Sequence, residues 1–217
     1  MKTDTQLRND IQAELNWAPD VKTSDIGVIV KDGVVTLTGH LASYAEKYAV
    51  ERAVQRVHGV KALAIELSVK LPFDNQRTDA DIAMAAERAL EWNVLVPDDK
   101  IHPMVEKGWL TLNGEVEWDY QRSAAESAVC NLMGVTGVSN LVKVKPKVSP
   151  ADIEKKIHDA LSRQADREAR QLAITVSGSQ VTLRGTVHSW TERDAVQGAA
   201  WATPGVTVVV NDLLVDA

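Results

Sequence analysis

The sequence predicts an α/β protein of the α+β kind, built from three tandem domains with the element order α-β-β-α-β. One strand pattern occurs three times, as VVTLTGHL at 34–41, WLTLNGEV at 109–116 and QVTLRGTV at 180–187. A glycine–valine pair follows each copy in the same register, at Gly59-Val60, Gly134-Val135 and Gly205-Val206. Because both anchors keep their register along the chain, we predict domains at residues 1–72, 73–147 and 148–217.

Each copy opens with signals for an amphipathic helix. Capping boxes are predicted at Thr3/Gln6, Thr78/Asp81 and Ser149/Asp152. Apolar residues then recur every four positions, as in Leu7, Ile11 and Leu15. This spacing places them on one face of a helix, which we expect to be buried.

Two strands and a tight turn follow the first helix. Residues alternate at Ile26, Val28 and Val30, and Asp32-Gly33 fits a hairpin turn whose two central residues have positive φ. The second strand is predicted to end at Gly39, where a glycine indicates a bulge or a close backbone approach. Equivalent glycines are Gly114 and Gly185.

A second helix and a third strand complete the unit. Ser43/Glu46 and Ser189/Glu192 predict capping boxes, and the small face Ala49, Ala53 and Val57 predicts close packing on a sheet. A helix between the second and third strands makes those strands parallel. We therefore expect a three-stranded mixed sheet with both helices on one face. Pro103 favours the edge for the first strand.

The repeated V-T-L-x-G hairpin, small-residue helix and G-V strand resemble the BON domain. The matching stretches are Val35–Gly39, Leu110–Gly114 and Val181–Gly185, with a final-strand asparagine at Asn140 and Asn211 but Ile65 in copy one. The resemblance implies a phospholipid- or membrane-interaction module. Its relatives include osmotic-shock periplasmic proteins, outer-membrane lipoproteins, secretins and a potassium-binding protein.

Several function classes are disfavoured by composition and spacing. The formal net charge of −6 leaves no basic stripe for nucleic acid. The five histidines show no metal-ligand spacing, and no phosphate-binding glycine loop occurs. Cys130 has no CxxC partner and is predicted to be a small core residue. We expect no enzymatic activity, no catalytic residue, no metal and no cofactor.

The targeting signals predict a cytoplasmic protein. The start MKTDTQLRND lacks the apolar run of a signal peptide, and no stretch approaches the roughly 20 apolar residues of a membrane span. Relatives in the BON family are often periplasmic. The family resemblance therefore favours the periplasm, whereas the missing signal-peptide pattern favours the cytoplasm.

Aromatic and basic residues cluster at the start of the second helix. An aromatic ring beside a cation at this place suits a membrane interface or a protein contact, or else a ring that packs within the protein. The predicted membrane or partner contacts are Tyr44, Lys47, Trp118, Tyr120, Arg122, Trp190 and Arg193.

Trp17 and Trp92 occupy equivalent positions after the first helix, where copy three has Arg163. A residue required by every core would not be lost from one copy. We therefore predict that these two tryptophans pack between neighbouring domains.

Three functional hypotheses follow. The first is reversible phospholipid or membrane-surface binding, linked to osmotic or envelope stress, in which three copies add weak contacts. The second is binding of proteins, including chaperone-like holding of unfolded chains. The third is sensing of potassium or another monovalent cation through backbone carbonyl groups. The oligomeric state is left open.

Overall fold

The computed structural model describes residues 2–145, 153, 156–157 and 172–215, and it shows three α+β domains. Copy one consists of α1 (Asp4–Trp17), β1 (Ile26–Lys31), β2 (Val34–Leu41), α2 (Tyr44–Gln55) and β3 (Ala62–Val69). Copy two consists of α3 (Asp79–Glu91), β4 (Ile101–Glu106), β5 (Trp109–Val116), α4 (Asp119–Val129), β6 (Gly137–Asn140) and β7 (Lys143–Val144). Copy three has β8 (Ala173–Ser177), β9 (Gln180–Val187), α5 (Trp190–Trp201) and β10 (Val208–Val215). Most of its predicted first helix lies outside the described residues, although Ile153, Lys156 and Ile157 are helical.

The sheets have the predicted mixed topology. In copy one β2 is central, antiparallel to β1 and parallel to β3. Copies two and three repeat this order, and β4, which contains Pro103, is an edge strand as predicted. The third strand of copy two is divided into β6 and β7, whereas β10 of copy three is continuous.

The first hairpin has the predicted turn and one difference from the predicted strand. Asp32 and Gly33 have φ of 54° and 80°, as the tight turn requires. The strand β2 does not end at Gly39 but continues to Leu41. Gly39 has φ of 135°, and a Cβ atom there would lie 1.9 Å from the carbonyl oxygen of Asp25. The predicted close backbone approach is therefore confirmed.

The helices begin where the sequence predicts, with one change in the caps. The Thr3 hydroxyl accepts from the Gln6 backbone at 3.3 Å, and the Gln6 side chain accepts from the Thr3 backbone at 3.0 Å. Thr78 and Asp81 form the same box, whereas Ser149 and Asp152 lie outside the described residues. At α2 and α5 only half of each predicted box forms. The Glu46 carboxylate accepts from the backbone of Ala42 and Lys22 instead of the Ser43 N-cap. The Glu192 carboxylate likewise accepts from the backbone of His188 instead of the Ser189 N-cap.

Each copy has its own apolar core between its sheet and its helices. Leu7, Ile11 and Leu15 of α1 are buried as predicted, and α1 packs against both β1 and α2. Ala53 and Val57 of the predicted second-helix face are buried and Ala49 packs against the core, while Val50 and Val54 add to this buried face. Burial of each large aliphatic side chain stabilises the fold by about 1.5–3 kcal/mol.

Candidate interaction site

The first turn of each second helix contacts another copy. At the junction between copies one and two, Tyr44 of α2 packs against the core of copy two. Burial, and next the negative charge of the Cys130 thiolate, raise the pKa of the Tyr44 hydroxyl to about 12. A hydrogen bond with the backbone of Val138 acts in the opposite direction. We call this contact junction 1–2.

Copy three contacts copy one through the residue equivalent to Tyr44. Trp190 of α5 packs against the core of copy one, and its indole N–H donates to the Val60 carbonyl at 2.6 Å. The Arg193 guanidinium lies 5.1 Å from the Trp190 ring centre and donates to the Asn211 carbonyl at 3.1 Å. This contact, junction 3–1, joins the two ends of the repeat.

Copies two and three meet at junction 2–3, where a different residue stands at the equivalent position. Asp119 replaces the aromatic residue, and its carboxylate forms an ion pair with Arg122. The guanidinium of Arg122 lies 4.7 Å from the centre of the Trp201 ring on copy three. Burial raises the pKa of Asp119 despite the opposing charge of Arg122. Trp201 packs against the cores of both copies.

The three junctions form a closed circuit. The donor surface is always the start of the second helix, and the acceptor surface lies around the end of that helix and the following strand of the next copy. A contact between two different surfaces continues from unit to unit, and it either closes or extends without limit. Here it closes after three copies, because Trp190 of the last copy reaches Val60 of the first.

This arrangement changes the prediction for the helix-start residues. Tyr44, Trp190, Arg122 and Arg193 serve junctions inside the chain and are not a free surface. Lys47 and Trp118 are partly buried, and Tyr120 is 54% exposed. The aromatic–cation pairing itself is present, as in Trp190 with Arg193.

The predicted inter-domain packing of Trp17 and Trp92 is wrong. Their side chains are 85% and 87% exposed. Each tryptophan lies two positions after the last buried leucine of its helix, Leu15 or Leu90, and residues two apart point to opposite sides of a helix. Val21 and Val96, further along, close the two cores instead.

The loop after α3 adds further apolar surface beside Trp92. Val94 is 96% exposed and Leu95 is 53% exposed. Nothing in the apolar periodicity indicated this surface, because residues after a helix end have no periodic constraint. The sequence signal that could have found it is the cluster of large apolar residues directly beyond the helix.

Within the described part of the chain, the remaining chemistry-bearing residues do not assemble into a metal centre. Among the described residues, no group of three or more His, Cys, Asp or Glu side chains is placed to hold a metal ion. Cys130 is buried as predicted, and burial raises the pKa of its thiol to about 11. Its thiol is therefore a poor nucleophile at neutral pH. No helix in the described part of the chain is long and apolar enough to cross a membrane.

The asparagines of the third strand secure the second helix. Asn140 donates to the carbonyl oxygen of Arg122 at 2.9 Å and to the Glu126 carboxylate at 3.1 Å. Asn211 donates to the Gln197 side chain at 2.9 Å. The helix start that forms each junction in copies two and three is thus held to its own sheet.

Comparison with known proteins identifies the family of the repeat. The BON domain model matches residues 3–70, 78–146 and 149–217. Osmotically-inducible protein Y of Escherichia coli (strain K12) is 27% identical over 146 residues, which is 65% of this chain and 73% of that protein. A solved structure of the C-terminal domain of CdsD, the structural protein of the type III secretion system of Chlamydia trachomatis, has 14% identity and a TM-score of 0.27 with full coverage of both chains. The chain belongs to the BON domain family.

Proposed function

We propose that this protein is a non-catalytic interaction protein that binds membrane surfaces reversibly during osmotic stress. The link to osmotic stress comes from its similarity to osmotically-inducible protein Y. The observation that supports membrane binding best is the exposure of Trp17 and Trp92 at equivalent places in two adjacent copies. Tryptophan favours the boundary between lipid headgroups and acyl chains, because its ring is apolar and its N–H is polar.

Two copies of the domain can each contribute one ring to such a contact. Trp17 is the last residue of α1 and Trp92 is the C-cap of α3, so the two side chains hold equivalent positions at the ends of the first helices. Two weak contacts made by one chain add to its affinity for a surface. The proposed contact is therefore at the ends of the first helices and not at the helix-start residues predicted from the sequence.

The strength of such a contact suits reversible binding. If each ring transfers about 100 Å² from water, the two contribute together about 5 kcal/mol. This corresponds to a dissociation constant on the order of 0.1 mM. The chain carries a net charge of −6, so attraction to anionic lipid does not add to this value.

Co-sedimentation with vesicles tests the proposal. We would compare the unaltered chain, the double variant Trp17→Ala/Trp92→Ala and the matched control Phe73→Ala, using phosphatidylcholine vesicles with and without phosphatidylglycerol. Phe73 is 87% exposed, but it precedes α3 whereas Trp92 follows it. We expect binding at physiological salt that the double variant loses and the control keeps.

Two outcomes would refute this proposal. Absence of binding to every vesicle would remove the membrane function, and equal binding by the double variant would remove the tryptophans from it. In the first case, capture of a protein partner that depends on Trp17 and Trp92 would assign these side chains to protein recognition. Chaperone-like holding and potassium sensing stay predictions.

A further inference from the structure

Junction 2–3 differs from the other two in how its space is filled. At junctions 1–2 and 3–1 the first residue of the second helix is aromatic, and Tyr44 or Trp190 packs on the neighbouring core. The equivalent Asp119 has a much smaller side chain. A cavity of about 570 Å³ lies here, lined among others by Trp118, Asp119, Tyr120, Ser123, Gly198 and Trp201.

The lining combines three aromatic side chains with one carboxylate. Trp118 and Tyr120 flank Asp119 in copy two, and Trp201 comes from copy three. None of the three aromatic positions is aromatic in the other copies, which have Ser43, Ala45 and Gln55 in copy one and Ser189, Thr191 and Cys130 at the corresponding places elsewhere. The cavity is therefore particular to junction 2–3.

One cation–π contact is already present at this junction. The Arg122 guanidinium lies over the Trp201 ring, 4.7 Å from its centre, and is ion-paired with Asp119. The attraction for a further cation therefore comes from the aromatic rings and not from a free carboxylate. Copy two is also the most acidic, since its 12 acidic residues exceed its 8 basic residues by 4. The amino end of α4 carries a partial positive charge, which Asp119 in the first turn offsets.

We propose that this cavity binds a trimethylammonium group. Such a group is a weakly hydrated cation with an apolar surface, and clusters of aromatic rings recognise it by cation–π attraction and contact. The group occurs in free choline and betaine-type solutes and in the headgroup of phosphatidylcholine. Binding of a free solute is independent of the membrane function above, whereas capture of a headgroup rests on it.

Nuclear magnetic resonance of the tryptophan indole N–H groups tests the proposal directly. The chain has six tryptophans, and their signals can be assigned with single Trp→Phe variants. The full chain is titrated with choline chloride, with sodium chloride at equal ionic strength and with 3,3-dimethylbutan-1-ol, the neutral isostere of choline. We expect saturable shifts of the Trp118 and Trp201 signals with choline in the millimolar range, and unchanged Trp17 and Trp92 signals.

Two variants separate loss of the cavity from loss of the fold. A Cβ atom added at Gly198 meets no atom within 4 Å, so Gly198→Leu fills the cavity without removing an aromatic ring. Tyr120→Ala removes one ring that is 54% exposed. We expect both to weaken choline binding at least tenfold, while Ser127→Leu, an exposed position on α4 outside the lining, leaves it unchanged.

The outcomes are distinct. Equal shifts with the neutral isostere, no saturable shift with choline, or unaltered binding by Gly198→Leu would each overturn the proposal. Competition between choline and phosphatidylcholine vesicles identifies the source of the group. If the cavity takes a lipid headgroup, the vesicles displace choline. If it takes only a free solute, the vesicles leave choline bound. The variant Trp17→Ala/Trp92→Ala should still bind choline, so failure of the membrane function leaves this test intact.

Discussion

Junction 3–1 provides a test of the closed circuit, because a single side chain, Trp190, makes both its packing contact and its hydrogen bond. Replacing Trp190 with alanine removes the ring from the core of copy one and the 2.6 Å hydrogen bond to Val60. If about 100 Å² of the ring is buried by copy one, its loss costs about 2.5 kcal/mol. The hydrogen bond adds about 1 kcal/mol. We expect Trp190→Ala to weaken the junction by about 3.5 kcal/mol and Trp190→Phe by about 1 kcal/mol.

Hydrogen exchange measured by mass spectrometry reports on this junction without assuming that three domains unfold together. Peptides around Val60 and β3 should exchange faster in Trp190→Ala, and urea should unfold the chain earlier. The matched control is Trp92→Ala, which removes a side chain that is 87% exposed. Its expected cost is below about 0.5 kcal/mol, as for most surface substitutions.

Two results would contradict this account of junction 3–1. If Trp190→Ala changes neither the exchange around Val60 nor the urea midpoint, copy three does not stabilise copy one and the circuit is open in solution. If Trp92→Ala costs as much as Trp190→Ala, the assignment of the two tryptophans to exposed and buried places is wrong.

Three further predictions test other parts of the structure. The raised pKa values of Tyr44, about 12, and Cys130, about 11, mean that both neutral groups stabilise the fold fully below their ordinary pKa values of 10.0 and 9.0. This contribution is lost as pH rises towards 12, so the urea midpoint should fall over that range, and less steeply in Tyr44→Phe. Gly39→Ala should destabilise copy one by at least about 2 kcal/mol in urea unfolding, because its Cβ would lie 1.9 Å from a carbonyl oxygen; Gly178→Ala, with no atom within 4 Å, should cost clearly less. A chain of residues 1–145 should self-associate in light scattering, since it exposes the Val60 surface of copy one and the Arg122 surface of copy two; a strictly monomeric chain would argue against the junctions.

The order of elements was predictable because each signal is local. Thr3 and Gln6 form a capping box within one turn, Asp32-Gly33 form a turn by themselves, and the Leu7 stripe repeats with the helical period. Pro103 identified an edge strand because proline has no N–H to donate to a neighbouring strand. None of these signals depends on the rest of the chain.

The partners of the exposed and junction residues were not predictable in the same way. Periodicity shows which face of a helix is buried, but not which residues cover its end. Trp17 and Trp92 were assigned to junctions from a comparison among copies, although their position two residues after a buried leucine points away from the core. Tyr44 and Trp190 stand beside the N-cap, where a ring can turn to its own domain, a neighbour or solvent, and only the three-dimensional arrangement decides among these.

One contact between the first helix and the hairpin turn was not predicted, although the sequence contains a signal for it. The Asp79 carboxylate accepts from the backbone of Lys107 at 2.8 Å and of Gly108 at 2.9 Å, which ties the start of α3 to the hairpin turn. Asp4 makes the same contacts with Asp32 and Gly33. The sequence signal is an aspartate directly after the capping threonine. It occurs in the two copies whose hairpin turns have positive φ at both central residues. Copy three has Pro150 there, outside the described residues.

One position distinguishes the three junctions in how their space is filled. The first residue of the second helix is Tyr44, Asp119 or Trp190, and it decides whether a junction is filled by a ring or left with a cavity. Tyr44 and Trp190 fill junctions 1–2 and 3–1, so copies two and three are also connected through copy one. Junction 2–3 can therefore contain a cavity without being the only contact that holds these two copies. Because Trp201 packs against the cores of both copies, a ligand at junction 2–3 would bind where copies two and three are already held together. The closed arrangement thus leaves a cavity at one junction and leaves the exposed Trp17 and Trp92 of copies one and two available for a separate contact.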